Sequence, residues 1–289
     1  MERSLQTGGA TVRMNPSRTI AKKVNPMIEG FSAQKWGVVE PRVLFEASGV
    51  VALEKPAGLP TQAPAGIESA ESWLRRRLAG AGPVAAVYLG VPHRLDRAVS
   101  GVLLMAATPR AARQLSRQFE RRQIGKTYIA VLESEDRVAT AAAALEQAGT
   151  AGVEWRDLIE KVPEEPRARV VLMADGLARE AVTQARLLAR LAAGQMLVEL
   201  NPLTGRMHQL RLQAAVRGLP VAGDRLYRPQ PDVAAGWTSV EIPSDDPRAL
   251  PIALHAWRIR YADPDTGQEI MLAAPLPTYW PADARAAVS

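Results

Sequence analysis

Apolar and polar residues alternate along this chain in short blocks separated by turn residues. Val43-Leu44-Phe45-Glu46 and Val50-Val51-Ala52-Leu53-Glu54 flank Ser48-Gly49, and the second block runs into Lys55-Pro56-Ala57-Gly58. This pattern predicts a β-hairpin ending in a second turn. A helix is expected over 69–78, and Val102-Leu103-Leu104-Met105 is an apolar run of strand length. Thr108 and Pro109 open a helix predicted to reach Arg122, the first as cap and the second at its first position. Ala112, Leu115 and Phe119 fall on one side of that helix, and Arg110, Arg113, Arg117 and Arg121 on the other.

Gly125 to Leu132 reads as a strand buried on both faces, with Lys126 and Tyr128 near its start. Met196 to Leu200 predicts another strand, Thr204-Gly205 a turn, and Met207 to Arg217 a helix stopped by Gly218. Ala253 to Ile259 and Glu269 to Leu272 flank the turn residues Asp263-Pro264-Asp265-Thr266-Gly267, a closing hairpin. Residues 136–176 are expected as a variable excursion between core strands. This order of elements predicts an α+β fold with a mixed, largely antiparallel central sheet flanked by helices, and the length from 41 to 289 suffices for one large domain or two small ones. Residues 1–40 carry little periodicity and a basic excess, and are expected as a flexible extension.

Composition narrows the chemistry. With no cysteine there is no disulfide, thiolate nucleophile or thiolate metal site, and the histidines at 93, 208 and 255 are too scattered to suggest a metal centre. No cofactor is expected. No apolar run approaches the roughly 20 residues that span a bilayer, and residues 1–40 lack the apolar core of a signal peptide. A cytoplasmic monomer away from membranes is the expectation. The net charge of +6 and a pI near 9.9 favour a polyanionic partner.

The chemistry concentrates in His93-Arg94-Leu95-Asp96-Arg97, followed by Ser100-Gly101. A carboxylate between two arginines at the start of a strand is a poised nucleophile or base, although structural ion pairs have the same composition. A second stretch, Leu203-Thr204-Gly205-Arg206-Met207-His208-Gln209-Leu210-Arg211-Leu212, precedes Gly218-Leu219-Pro220-Val221-Ala222-Gly223-Asp224-Arg225-Leu226-Tyr227. On the expected helix His208 and Arg211 share a face.

These stretches, with Lys126-Thr127-Tyr128-Ile129-Ala130-Val131, resemble the motifs of the RluA-type pseudouridine synthases; the likeness extends more loosely from about Pro41 to Trp280. Val99 and Met207 stand where that family usually has threonine, and Gln213 where it has histidine. The resemblance implies a single catalytic domain over 41–289 whose sheet is cleft across its middle, with Asp96, Tyr128 and Arg211 meeting in the cleft as the catalytic set. Arg211 would pair with Asp96, and Tyr128 would pack on the target base. Arg94 would enter the space left by a flipped nucleotide. Arg97, Lys126, Arg206 and His208, with the stripe Arg110, Arg113, Arg117 and Arg121, complete the expected RNA-binding set. The implied reaction is isomerisation of uridine to pseudouridine in structured ribosomal or transfer RNA. Two other readings remain: an RNA-binding maturation factor without catalysis, and a glycosidase needing a second carboxylate. Asp224 is the only motif carboxylate open to that role. As a turn-ordering residue, it should tolerate replacement by Asn without loss of bond cleavage.

Overall fold

The opening hairpin forms as its pattern requires. β1 (Arg42–Ala47) and β2 (Val50–Lys55) pair antiparallel across Ser48 and Gly49, whose positive φ values of 51° and 70° make the tight turn. The computed structural model describes residues 40–133, 139–173, 176–191, 194–228 and 250–288. All of the expected N-terminal extension except Glu40 lies outside the described residues.

β2 is buried on both faces, so its side chains feed two cores. Val50 and Ala52 face α2 (Pro109–Glu120) together with Val102 and Leu104, while Val51 and Leu53 face α1 (Ala70–Ala79) together with Leu103 and Met105. β3 (Ser100–Ala106) therefore reads as a continuous apolar run, because its sheet is covered on both sides. Ser69 and Ser72 cap α1 reciprocally, and Thr108 caps α2 by accepting from the backbone N–H of Ala111.

The rest of the sheet is β4 (Gly125–Leu132), β5 (Val153–Lys161), β6 (Ala168–Val171), β7 (Arg179–Arg190), β8 (Met196–Pro202), β9 (Leu254–Ala262) and β10 (Glu269–Ala273). Among the described residues the strand order is β1-β2-β3-β9-β4-β8-β7-β5-β6, with β10 beside β9. Every pairing is antiparallel except β3 with β9. The fold is α+β with a mixed sheet, as the pattern predicts. The excursion expected over 136–176 is more regular than foreseen: α3 (Ala139–Ala148), β5 and β6 lie within it, and the two strands extend the sheet. Trp155 and Ile159 point into cores, but intervening Glu154, Arg156 and Asp157 mask the alternation.

The parallel seam between β3 and β9 pairs only Ser100 with His255 and Gly101 with Ala256. It joins the two halves of the sheet. Gly101 has φ 121°, and a Cβ there would stand 2.2 Å from the Ala256 carbonyl oxygen, so only glycine fits. Buried His255 fastens the seam: Nδ1 accepts from the Ser100 hydroxyl at 2.8 Å, and Nε2 donates to the Ala274 carbonyl at 3.2 Å.

The last elements are α4 (Gln209–Ala215) and α5 (Ala282–Ala286), both set against the core that includes β4 and β8. α4 is shorter than the predicted 207–217, because His208 adopts a left-handed φ of 51° and starts the helix later. Nor does α4 have a solvated arginine face; all its residues are buried. No helix among the described residues is long and apolar enough to cross a membrane.

His255 gives the fold a pH dependence of definite sign. Burial pushes its pKa down from 6.5 to about 4, so below pH 6.5 the unfolded chain binds the proton first and stability falls with pH. Between pH 7 and pH 5 this one group should cost about 2 kcal/mol of stability. Urea unfolding at the two pH values checks it, and the His255→Gln variant should show a correspondingly smaller difference.

Candidate active site

Asp96 lies on the loop that leads into β3, and buried contacts hold that loop on both sides. The Thr61 hydroxyl donates to the Leu95 carbonyl at 2.8 Å and accepts from the Leu95 N–H at 3.1 Å. The Gly58 N–H donates to the Arg97 carbonyl at 2.7 Å, while Arg97 Nε donates to the Gly58 carbonyl at 2.9 Å. Beneath them the wholly buried Lys55 donates to the carbonyls of Leu59, Pro56 and Arg97 at 2.7, 2.9 and 3.4 Å. Burial draws the Lys55 ammonium down to about 7, and the charge of Asp96 pushes it back up. Its three carbonyl acceptors likewise favour the charged form. The Lys-Pro-Ala-Gly turn of the opening hairpin is thus the floor on which the aspartate stands, a role its sequence pattern did not announce.

The Asp96 side chain is 32% exposed, and its Oδ2 receives Arg211 Nη1 at 3.3 Å. His208 Nε2 lies 3.7 Å from the same oxygen. Among the described residues Oδ1 accepts no hydrogen bond. Arg211 comes from α4 and is itself fixed by Asp224, with Nε donating to Oδ2 at 2.7 Å and Nη2 to Oδ1 at 2.9 Å. Asp224 is buried and also accepts the N–H groups of Leu226 and Tyr227, at 3.0 and 3.3 Å. Burial alone would lower the pKa of Arg211, but the carboxylates of Asp224 and Asp96 outweigh it and hold the guanidinium cationic. Asp224 orders its turn, as expected, and it also holds Arg211 through both carboxylate oxygens, a contact that its place in the sequence did not show.

Tyr227 completes this wall. Its ring lies 5.2 Å from the Arg211 guanidinium carbon, and its hydroxyl sits 2.8 Å from His208 Nδ1 while accepting from the Ala168 N–H at 2.9 Å. The hydroxyl proton is then free to go to Nδ1, leaving Nε2 protonated toward Asp96. Asp224 and Tyr227 stand three apart in the Gly-Asp-x-x-Tyr stretch, so their spacing was visible in the sequence while their shared target was not.

Asp96, Tyr128 and Arg211 all line one cleft of about 1290 Å³. Burial, then the charge of Asp96, raises the Tyr128 hydroxyl well above its ordinary value, so it stays protonated at neutral pH. Arg94 is exposed at the cleft, and Arg97, Lys126, Arg206 and His208 line it as well. Lys126 Nζ donates to the Thr204 carbonyl at 3.3 Å, and Arg206 Nε to the Glu180 carbonyl at 2.9 Å, so both cations are tethered to the rim. The stripe on α2 is placed differently. Arg110, Arg113, Arg117 and Arg121 are exposed but do not line the cleft; Glu120 and Arg122, at the end of that helix, do. Arg110 pairs with Asp265 at 3.2 Å, while Arg113 and Arg117 border a shallow dent beside the exposed Tyr88.

The other two histidines are structural. His93 Nε2 accepts the Leu104 N–H at 2.9 Å, and its ring stacks on Phe119 with centroids 4.7 Å apart. Burial pushes its pKa down to about 3, so it stays neutral. His255 belongs to the β3–β9 seam.

Comparison with known proteins gives these groups a context. Residues 49–216 match the family model for RNA pseudouridylate synthases. An RNA pseudouridine synthase of Zymomonas mobilis is 34% identical over 196 residues, which are 66% of this chain and 80% of that protein. The ribosomal large subunit pseudouridine synthase D of Xanthomonas campestris is 33% identical over 81% of this chain and 66% of its own. The dual-specificity RNA pseudouridine synthase RluA of Yersinia pestis is 32% identical over 64% of this chain and 81% of its own. The human RNA Pseudouridylate Synthase Domain Containing 4 shares the fold, with a TM-score of 0.60 at 24% identity over 82% of this chain and 89% of that one. By family model and by relatives, the chain belongs to the RluA-type pseudouridine synthases, enzymes that isomerise uridine in RNA.

Proposed function

We propose that this chain converts selected uridines of structured ribosomal or transfer RNA to pseudouridine, with Asp96 as the group that acts on the nucleotide. The observation that carries this reading is the carboxylate of Asp96 in the cleft, approached on Oδ2 by an arginine that a second, buried carboxylate holds in place. An ionised carboxylate so held is ready to attack C1′ or to serve as base at the ribose. The N1–C1′ bond breaks, the uracil turns, and C5 joins C1′ in its place. Tyr128, kept protonated, stacks on the base and stands near the C5 proton that must leave.

A uridine reaches Asp96 only after leaving its stack, at a cost of about a few kcal/mol. Arg94, exposed beside Asp96, fills the gap with a planar cation. Arg97, Lys126, Arg206 and His208 then meet phosphates within the cleft. Arg110, Arg113, Arg117 and Arg121 hold RNA farther out, on the outer face of α2. Residues 41–289 constitute the catalytic domain, and the basic segment before it is an extension. The enzyme works in the cytoplasm as a monomer, without cofactor. Asp224, the motif carboxylate open to the hydrolase reading, is bound to Arg211 on both oxygens, which speaks against that role for it.

In a deletion strain, a pseudouridine map of all RNA should lose particular sites. The wild-type gene should restore them, and Asp96→Asn should not. Loss with rescue by both would remove Asp96 from the chemistry. Unchanged sites, with purified protein that binds unmodified RNA transcripts but isomerises none, would favour the non-catalytic reading.

The Asp224→Asn variant should lose about 3 kcal/mol of unfolding free energy, because a buried guanidinium is left with half its partner. Its turnover of an unmodified RNA transcript should drop by about a hundredfold as Arg211 loosens its hold on Asp96. Urea unfolding and single-turnover kinetics measure the two effects separately.

A further inference from the structure

β9 carries one residue more than the β4 segment opposite it. Thr127 pairs with Arg258 and Tyr128 with Ala256, so Trp257 is left over as a β-bulge. At the same point β9 parts from β3, whose pairing ends at Ala256, and takes up β10, whose last residue, Ala273, lies opposite Arg258. The Trp257 carbonyl bridges the change by accepting the Ala274 N–H at 2.9 Å.

Bulges turn side chains away from strict alternation. Here Trp257 and Arg258, neighbours that would otherwise point to opposite faces, are stacked: the guanidinium carbon lies 3.5 Å from the indole centroid. Trp257 is half-buried against the core, whereas Arg258 is exposed and lines the same cleft as Asp96, Tyr128 and Arg211. Among the described residues the Arg258 side chain makes no ion pair or hydrogen bond, in contrast to Arg260 two residues on, which is paired with Glu269 at 2.9 Å. A guanidinium lying flat on an aromatic ring has its orientation fixed while its in-plane donors stay open. That is the geometry of a bidentate phosphate grip, and it is set across from Thr127, the residue before Tyr128.

We propose that the stacked Trp257–Arg258 pair is a phosphate-binding subsite of the cleft, in which the indole holds the Arg258 guanidinium ready for a backbone phosphate of the RNA strand that enters beside Tyr128. It rests on the reading of the cleft as an RNA uridine isomerase site. Pre-positioning by Trp257 lowers the ordering cost of the contact, so the pair should tighten binding without touching the chemical step.

Single-turnover pseudouridine formation on unmodified ribosomal and transfer RNA transcripts, run with excess enzyme over a range of enzyme and KCl concentrations, tests it. Arg258→Ala should raise the half-saturating enzyme concentration about tenfold, with the rate at saturation within about twofold of wild type. It should also make the dependence of log affinity on log salt shallower by about one. Arg258→Lys should keep the salt slope yet still bind several-fold more weakly, since an ammonium neither forks nor stacks on the ring in the same way. Trp257→Phe, which preserves packing, should fall between wild type and Arg258→Lys. If wild type is active and Arg258→Ala matches it in both half-saturation and salt slope, the subsite is refuted while the enzyme reading stands. Wild type as inactive as Asp96→Asn on every transcript would overturn the enzyme reading, and this inference with it.

Discussion

The site depends on a buried guanidinium shared by two carboxylates. Arg211 is taken out of water on a helix with no exposed residue in its regular turns, an arrangement that would be strongly unfavourable for an isolated cation. Asp224 makes it tenable by binding two of the guanidinium nitrogens in one plane, at 2.7 and 2.9 Å. The remaining nitrogen, Nη1, is the one that meets Asp96. Position and hydrogen-bond direction at the Asp96 carboxylate thus follow from Asp224, which does not itself line the cleft.

The second support is mechanical. Asp96 sits at the junction of the sheet's halves, where β3 and β9 run parallel for two residue pairs. So short a seam carries few hydrogen bonds, and it is reinforced by side chains: His255 to Ser100, Gly101 tight against Ala256, and Lys55 beneath the loop. Where β9 leaves β3 for β10, Trp257 forms the bulge opposite β4.

Charge is spread unevenly over the molecule, and position separates its uses. Cations at the cleft are mostly tethered: Lys126 and Arg206 to backbone carbonyls, Arg211 to carboxylates. Those on α2 are exposed, with Arg110 alone of the stripe paired among the described residues, in a medium where charges act over a Debye length of about 8 Å at physiological salt. Amphipathic spacing on α2 identified the second group but could not say that its stripe stands off the cleft.

Local pattern was enough for most of the elements. The opening hairpin, both capped helices on the first half, and β3, β4 and β8 lie where turn chemistry, capping residues and apolar period put them, because these are set by neighbours along the chain. β5 and β6 escaped, since their polar positions carry charged pairs such as Arg169 with Glu160 that make a covered strand look like loop. α4 came out shorter because a left-handed His208 is a tertiary accommodation, favoured by Tyr227 rather than by its neighbours. Asp96, Tyr128 and Arg211 could be named from motifs. That Asp224 aims Arg211, that Lys55 underlies the loop, and that Trp257 turns Arg258 into the cleft were decided by the tertiary structure alone. Each depends on residues from separate elements meeting at hydrogen-bond or van der Waals distance, and spacing along the chain carries no record of such meetings.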